Sequence, residues 1–231
     1  NTGINAANGK YIGFLDDDDE FLPTKIEKQV DVLEKKREYN CVSCQIYRNN
    51  KVKKQKINEK TLLEDILSLK VSPITSTLLF RKDTLQELHG FNETYRRHQD
   101  VEIMVRYLKN NKLTYIQEPL IIMGINNGEN QLNGKDLKEM KENFIKEFMP
   151  VIEQLDNKKK GCKKKIICSH YVSMTINFFK NKEFKMTNEI MKKGIKEYPF
   201  TFLKALALSV IERIIIHLKW RKNEKSKEKF E

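Results

Sequence analysis

The chain has 231 residues, of which 39% are hydrophobic, so it can bury a core and is not a disordered tail. Its net charge of +12 comes from lysines spread along the chain and favours an anionic partner such as nucleic acid, a phosphorylated substrate or acidic lipid. The four uneven cysteines exclude a secreted disulfide scaffold, and no apolar run reaches the roughly 20 residues of a membrane-spanning helix, so we expect a cytoplasmic protein.

The first informative stretch is an apolar run, Tyr11 to Leu15, that ends in four aspartates, Asp16 to Asp19. The residues before it, Asn1 to Gly9, are small and polar and predict a loop. The run predicts a buried strand, and ligands of open α/β sheets bind where strands end. Four adjacent carboxylates repel one another, so the cluster either lies in solvent or surrounds a hard cation such as Mg²⁺ or Mn²⁺. An EF-hand does not fit, because Phe21 stands where its loop glycine is expected.

Helical and strand patterns then alternate, which indicates an α/β fold. We predict a helix from Pro23 to about Tyr39, a strand at Cys41 to Tyr47, a short helix at Thr61 to Leu69, a strand at Ile74 to Phe80 and a short helix that stops at Gly90. Cys41 and Cys44 have CxxC spacing, but residues three apart on a strand point to opposite faces and no second pair matches them. Buried or free thiols are therefore favoured over a zinc site.

A second informative stretch, Gly90 to Asp100, is a polar loop that opens a helix. Apolar residues from Val101 to Leu108 lie on one face of that helix, so Asp100 falls in its first turn. A carboxylate there is favoured by the helix dipole alone, and a reactive group is the other interpretation. Lys112 to Ile122 predicts a strand pair or an extended edge, interrupted by Pro119.

The composition changes at Asn126 to a segment rich in Asn, Gly and Gln, and helical patterns dominate after Gly134. We predict helices at Lys135 to Leu155, Lys163 to Phe179, Lys182 to Glu197 and Thr201 to Trp220. The middle pair has the size of a tetratricopeptide unit, but a plain helical packing domain is preferred. The last helix, which precedes a basic tail, is either an interfacial helix on anionic lipid or a core helix with a solvated tail.

No Ser/His/Asp triad, histidine ligand spacing or glycine-rich phosphate loop is present in the sequence. What remains is the pairing of a carboxylate cluster at a strand end with a later carboxylate at a helix start. This pairing suits chemistry in which one acidic group holds a metal ion against a diphosphate and another deprotonates an incoming hydroxyl.

Several motifs resemble the centre of a family 2 glycosyltransferase of the GT-A fold. They are Asn1-Thr2-Gly3-Ile4, Ala7-Asn8-Gly9-Lys10-Tyr11-Ile12, Phe14-Leu15-Asp16-Asp17-Asp18-Asp19 and Pro23-Thr24-Lys25-Ile26. The resemblance implies that Asp18 is the main metal ligand, that Asp16 contacts the ribose or the metal, and that Asp17 and Asp19 support them. The implied cofactor is Mn²⁺ or Mg²⁺, and the implied donor is a nucleotide-diphosphate sugar.

The loop with Phe91, Asn92 and Glu93 before Gln99-Asp100 is similar to the family's acceptor-side motif, which makes Asp100 the expected catalytic base. The family usually has glutamate before this aspartate, where this chain has Gln99. Asn1 and Gln99 are expected to contact substrate together with Asp16 and Asp17. The Gln-x-x-Arg-Trp motif of processive synthases is absent, which favours transfer of single sugars.

The predicted fold is α/β, a partial GT-A (Rossmann-like) mixed sheet with flanking helices, followed by an all-helical C-terminal region. The expected domains are residues 1–125, a linker at 126–134, and a helical region with a basic tail at 135–231. The resemblance covers residues 1–122, and nucleotide-binding strands normally precede Asn1, so an N-terminally truncated chain that is inactive alone is expected.

The expected activity is that of an inverting, metal-dependent, hexosyltransferase-type enzyme acting on a glycan or lipid-linked acceptor in cell-surface polysaccharide synthesis. Peripheral contact with the anionic inner face of the membrane is expected, and a nucleic-acid partner is not. The alternative is a non-enzymatic basic scaffold, an inactive transferase-like module that binds membrane or nucleic acid through its lysines.

Overall fold

The computed structural model describes residues 1–49, 51–55, 57–124, 132 and 134–227, with side chains as far as Ile215. The chain divides into two compact units, residues 1–132 and 133–231. The linker predicted at 126–134 lies outside the described residues, apart from Leu132 and Gly134.

The first unit combines a mixed sheet with helices. Its strands are β1 Tyr11–Gly13, β2 Glu20–Phe21, β3 Cys41–Arg48, β4 Lys51–Lys53, β5 Leu79–Arg81 and β6 Leu113–Ile122. Its helices are α1 Thr2–Ala6, α2 Lys25–Lys35, α3 Leu62–Leu67, α4 Lys82–Glu87 and α5 Gln99–Leu108, with a 3₁₀ turn at Thr75–Thr77. The predicted mixed sheet with flanking helices is confirmed.

The strand order is β1-β5-β3-β6-β2, with β4 paired to β3 as a hairpin. The pair β3 and β6 is parallel, whereas β1 with β5, β5 with β3, and β6 with β2 are antiparallel. The last residues of β1, β3 and β6 therefore lie at the same edge of the sheet as the first residues of β5 and β2. We call this edge the upper edge.

Helices cover both faces of the sheet. Leu79 of β5 packs with Val42 and with Leu33 of α2, whereas the next residue, Phe80, meets Tyr107 of α5 with ring centroids 5.5 Å apart. Successive strand residues point to opposite faces, so α2 and α5 lie on opposite sides of the sheet. Burial of each of these large side chains contributes about 1.5–3 kcal/mol, which fixes α5 and its first turn relative to β5.

Two sequence predictions in this unit are wrong. The loop predicted before Gly9 contains helix α1, which buries its apolar residue Ile4. The strand predicted at Ile74 to Phe80 is a 3₁₀ turn followed by β5. In that turn the Thr77 hydroxyl donates to the Ile74 carbonyl at 2.7 Å, a local bond that competes with strand pairing.

Strand β6 is an interior strand between β3 and β2, and not the edge or strand pair predicted from sequence. Its pairing shifts register at Gln45, which faces Pro119, whereas the preceding Cys44 faces Ile116. Proline has no N–H to donate to the ladder, and the bulge accommodates it inside the sheet.

The second unit is all-helical in its described part, as predicted. Its helices are α6 Gly134–Glu147, α7 Met149–Lys158, α8 Cys162–Lys180, α9 Phe184–Glu197 and α10 Pro199–Lys227. The single helix predicted at Lys135 to Leu155 is wrong, because the chain breaks at Phe148 into α6 and α7. Pro150 lies in the first turn of α7, where its missing N–H needs no partner, whereas inside one continuous helix it would break a hydrogen bond.

Helices α8, α9 and α10 pack on one another through a close approach at Gly194. A Cβ added to Gly194 would lie 2.6 Å from the buried ring of Phe202, so this contact requires glycine. No helix among the described residues has the length and apolar character needed to cross a bilayer.

Candidate active site

Residues Phe14–Asp19, which we call the acidic loop, connect β1 to β2, the two outermost strands in the sheet order. The loop follows the end of β1 and precedes the start of β2, and both of these strand ends lie at the upper edge. The loop therefore runs along the upper edge, past the ends of the strands between them. The backbone N–H of Asp16 donates to the Ser76 hydroxyl, just before β5, at 3.0 Å. Further along, the Gly124 N–H, just after β6, donates to Asp19 Oδ1 at 3.0 Å. The loop is therefore held at two points of the sheet edge.

Gly124 packs directly against the backbone of the acidic loop. A Cβ at this position would lie 1.9 Å from the carbonyl oxygen of Asp18, far inside van der Waals contact. Within the loop, the Asp19 N–H donates to the Asp16 carbonyl at 3.1 Å and closes a turn. This turn leaves Asp16, Asp17 and Asp18 exposed and Asp19 half-buried.

Asp100 lies in the first turn of α5, after His98, whose φ of 65° places it in the left-handed region. Its Oδ1 accepts the Val101 N–H at 2.8 Å. The side chain is half-buried, and desolvation raises the pKa of Asp100 to about 6. The charge of Asp16 also raises this pKa, and Arg97 opposes it.

The carboxylates of the acidic loop repel one another. Partial burial raises the pKa of Asp16 most, followed by the charges of Asp19, Asp18 and Asp17. Among the described residues, no group of three or more His, Cys, Asp or Glu side chains is arranged to hold a metal ion. Mg²⁺ is commonly held by one or two carboxylates with phosphate oxygens and water, and the exposed oxygens of Asp16 and Asp18 fit that mode.

Asn1 ties the start of the chain to the loop before α5. Its side-chain amide donates to the Phe91 carbonyl at 2.8 Å and to Glu93 Oε1 at 2.9 Å, and its Oδ1 accepts the Phe91 N–H at 2.8 Å. The Phe91 ring meets Phe14 of the acidic loop edge-on at 5.1 Å. Asn1 thus holds a segment that touches the acidic loop.

An ion pair with one buried partner fixes the other side of this segment. Arg106 of α5, whose side chain is 25% exposed, is bonded through Nε and Nη2 to the fully buried Glu102, at 2.5 and 2.7 Å. The same guanidinium donates to the carbonyls of Leu88 and Gly90. Leaving one partner of a fully buried pair uncompensated costs about 3–5 kcal/mol, and the partial exposure of Arg106 makes the cost smaller here. The pair and the two carbonyl bonds hold α5 to the loop.

The predicted site residues fall into three groups. The charge of Asp16 acts on Asp100, and Asp16, Asp17 and Asp18 are exposed on the acidic loop. Asp19 and Asn1 are engaged in hydrogen bonds within the protein. Gln99 is half-buried as the first residue of α5.

Sequence reasoning missed the residues that position these groups, namely Ser76, Gly124, Glu102 and Arg106. The spacing of Glu102 and Arg106, four residues apart on a predicted helix, was a usable signal. Ser76 and Gly124 act through long-range backbone contacts, for which a single sequence gives no signal.

The first part of the chain is similar in sequence to known glycosyltransferases. Residues 1–103 match the family described as Glycosyl transferase family 2. The chain is 30% identical over 143 residues to the uncharacterized glycosyltransferase MJ1057 of Methanocaldococcus jannaschii, covering 58% of this chain and 48% of the relative. It is 27% identical over 142 residues to the amylovoran biosynthesis glycosyltransferase AmsB of Erwinia amylovora, covering 52% and 44%. The chain thus spans about half the length of these curated relatives.

Solved structures of S. aureus TarS are also similar. One, in complex with UDP, covers 87% of this chain and 68% of that chain at 12% identity and a TM-score of 0.45. A second covers 83% of this chain and 41% of that chain at 12% identity and a TM-score of 0.48.

Proposed function

Since residues 1–103 match the family described as Glycosyl transferase family 2, we propose that the chain transfers a single sugar from a nucleotide-diphosphate sugar to an acceptor hydroxyl. The observation that supports this proposal most is the contact between the acidic loop and the segment before α5, where the rings of Phe14 and Phe91 meet edge-on at 5.1 Å and the charge of Asp16 acts on Asp100. Such a transfer needs carboxylates that bind a metal ion and a separate carboxylate that acts as general base. The acidic loop supplies the first and the half-buried Asp100 supplies the second.

Asp100 acts as the general base. With a pKa of about 6 it is mostly ionised at pH 7, yet basic enough to accept a proton, as a general base near its operating pH should be. It takes the proton of the acceptor hydroxyl as that oxygen attacks the anomeric carbon, and the bond from this carbon to the nucleotide diphosphate breaks. A single displacement of this kind inverts the anomeric configuration.

Asp18 and Asp16 supply the metal ligands. Asp17, on the same loop, contacts the nucleotide-sugar donor. A Mn²⁺ or Mg²⁺ ion held there would neutralise the charge that develops on the leaving diphosphate. Asp19 serves this site indirectly, because its carboxylate fixes the acidic loop to Gly124. Asn1 orients the Phe91 segment, and Gln99 borders the base at the start of α5.

The acceptor is a glycan or a lipid-linked glycan. We propose a hexose donor and a role in cell-surface polysaccharide synthesis. AmsB, one of the similar proteins, is named for amylovoran biosynthesis, which is in keeping with polysaccharide synthesis. The net charge of +12 suits work at the anionic inner face of a membrane, where lipid-linked acceptors lie.

The test separates transfer from binding. Asp100→Asn should lower transfer from nucleotide-diphosphate sugars by about 10²- to 10⁴-fold while leaving manganese-dependent nucleotide binding within about twofold. Asp18→Asn should instead remove the effect of manganese on nucleotide binding measured by calorimetry. The matched control is Asp83→Asn, since Asp83 is an exposed carboxylate in the first turn of α4.

Unchanged turnover in Asp100→Asn would rule out the base, and an unchanged manganese dependence in Asp18→Asn would rule out the metal ligand. The second candidate function, a basic scaffold, is favoured by the net charge alone. It requires salt-sensitive binding to RNA or vesicles together with a melting temperature that nucleotide sugar and manganese leave unchanged.

A further inference from the structure

Helix α10 presents two different faces over its first half. Phe202 is buried, and Thr201, Ala205, Leu206 and Ser209 are half-buried. Phe202 packs on Gly194 of α9, so this face is the inner one. The inner residues recur every three or four positions, which is the spacing of one helix face.

The outer face of α10 is apolar and exposed. We define it by Phe200, Leu203, Ala207, Leu208, Val210, Ile211, Ile214 and Ile215. Phe200 is 87% exposed, and the large aliphatic members are 43% to 52% exposed. At 3.6 residues per turn these side chains form a stripe about 160° wide, centred opposite the inner face. A stripe of this width exceeds a coiled-coil seam and leaves a large apolar surface in water.

Two of the three charged residues of this segment lie outside the apolar stripe. Glu212 and Arg213 project about 120° or more from its centre, within the sector of the inner face. Lys204 is the one charged member of the outer face between Pro199 and Ile215, and its long stem can extend past neighbouring apolar groups to a polar boundary. This distribution is that of a helix lying at a boundary between an apolar phase and water.

The sequence that continues α10 is strongly basic. Its charged residues are Lys219, Arg221, Lys222, Lys225, Lys227 and Lys229 against Glu224, Glu228 and Glu231. Cationic residues beside an apolar helix face bind anionic lipid headgroups, and each adds about fivefold to membrane affinity.

We propose that the outer face of α10 lies in the headgroup region of an anionic lipid bilayer, with the basic continuation of the helix on the lipid phosphates. This inference rests on the proposed function in one respect, the lipid-linked acceptor. It adds the contact surface and the lipid class. Docking of the helix on the bilayer would place the enzyme beside an acceptor that diffuses in the membrane plane.

Charge decides between a bilayer and a second copy of this chain. Pairing two copies through the outer face would bring two net-positive molecules and their basic segments together, and like charges repel. An anionic membrane meets the same face with opposite charge and a surface wide enough for the whole stripe.

Binding is tested on the intact chain with phosphatidylcholine vesicles that contain 30% or no phosphatidylglycerol, without sugar donor or acceptor. We expect cosedimentation with the anionic vesicles that weakens as salt rises. The triple change Leu203→Gln, Ile211→Gln, Ile214→Gln should lower the partition coefficient by about a hundredfold or more. The change Lys219→Gln, Arg221→Gln, Lys222→Gln should lower it by about a hundredfold on anionic vesicles.

The control pair Glu212→Gln and Arg213→Gln keeps the net charge and lies off the outer face, so binding should stay within about twofold. Melting temperatures of the outer-face variant and of the control pair should match the unaltered chain, because the side chains replaced in both are exposed. The proposal is overturned if anionic vesicles are not bound, or if the outer-face triple change leaves binding intact. It is also overturned if that change only converts a dimer to a monomer in light scattering. If the unaltered protein binds anionic vesicles but transfers no sugar, the result would count against the proposed function and not against the membrane contact.

Discussion

At the scale of single residues, the environment of Asp100 sets its chemistry. Desolvation at the start of α5 and the nearby charge of Asp16 both disfavour the ionised carboxylate, and the bond from the Val101 N–H only partly offsets them. An exposed aspartate would ionise near pH 4 and be a weak base at pH 7. Asp100 thus gains basicity from its position.

The coupling between the two carboxylates predicts a pH effect. Asp16→Asn removes a like charge, so the pKa of Asp100 should fall below about 6 and the carboxylate should persist to lower pH. The carboxyl carbon of Asp100 in metal-free protein reports this directly by ¹³C NMR titration. Asp31→Asn, an exposed change on α2 paired with Lys35, is the control. An unaltered Asp100 titration in Asp16→Asn would show that the two groups do not interact.

The reactive carboxylates were predictable from the sequence, whereas their supports were not. Asp16 to Asp19 follow an apolar run and Asp100 opens an amphipathic helix, and both are local patterns. The contacts of Ser76 and Gly124 with the acidic loop span 60 and 105 residues, and only the folded sheet brings them together.

At the scale of elements, the acidic loop depends on close backbone packing after β6. Because a Cβ on Gly124 would overlap the Asp18 carbonyl, any larger residue must displace the loop that carries the carboxylates. The displacement affects both the fold and the metal site.

Gly124→Ala should therefore lower the free energy of unfolding by about 1–3 kcal/mol in urea denaturation and weaken manganese-dependent nucleotide binding. Gly3→Ala is the matched control, because a Cβ there meets nothing within 4 Å. Since Gly3 lies inside α1, that change should be neutral or stabilising by up to about 1 kcal/mol. Wild-type stability and nucleotide affinity in Gly124→Ala would mean that the loop position is not fixed by this contact.

Element types were largely predictable, but their boundaries and pairings were not. The periodicity of α2, α5, α8 and α9 is regular, and these helices exist close to their predicted positions. The segment Thr75–Thr77 has β-branched composition but forms a 3₁₀ turn, because its hydroxyls bond locally and to neighbouring elements.

At the scale of the whole molecule, each unit carries a buried lysine that opposes its stability. Lys25 is fully buried, and its Nζ lies 3.9 Å from the centre of the Phe21 ring with no hydrogen-bond partner among the described residues. Burial lowers the pKa of Lys25 to about 8, and it lowers the pKa of Lys141 in the second unit to about 8 as well.

Lys25→Met and Lys141→Met should each raise the free energy of unfolding at pH 7, by up to about 3 kcal/mol. Below pH 8 both states bind the proton, and the folded state bears the cost of a buried charge. Between pH 8 and 10.5 the folded state releases the proton first, so the cost and the gain from each substitution should fall steadily and vanish only above pH 10.5. Urea denaturation at pH 7 and pH 9 measures this change.

Lys109→Met, a substitution of an exposed lysine, is the control. Its effect on the free energy of unfolding should be the same at pH 7 and pH 9. A gain from Lys25→Met that is equal at both pH values would mean that the ammonium group carries no desolvation cost. The attraction of the cation to the Phe21 ring reduces the gain at Lys25 by about 1 kcal/mol.

The overall topology was the least predictable property. The α/β class and the change to helices after Gly134 follow from composition and periodicity. The placement of β1 and β2 at opposite edges, with β6 inside, depends on pairings between distant strands that no local pattern encodes.

The acidic loop begins and ends in short strands at the two ends of the sheet order, three residues in β1 and two in β2. Short terminal strands are the parts of a sheet that open first in local fluctuations. Fraying at either end would pull the carboxylates out of register with Asp100, although β5, β3 and β6 lie between the two ends. A donor bound at the site would then reduce the local opening of β1 and β2 together. The carboxylate cluster would thereby couple the stability of the two outermost strands as well as bind its ligand.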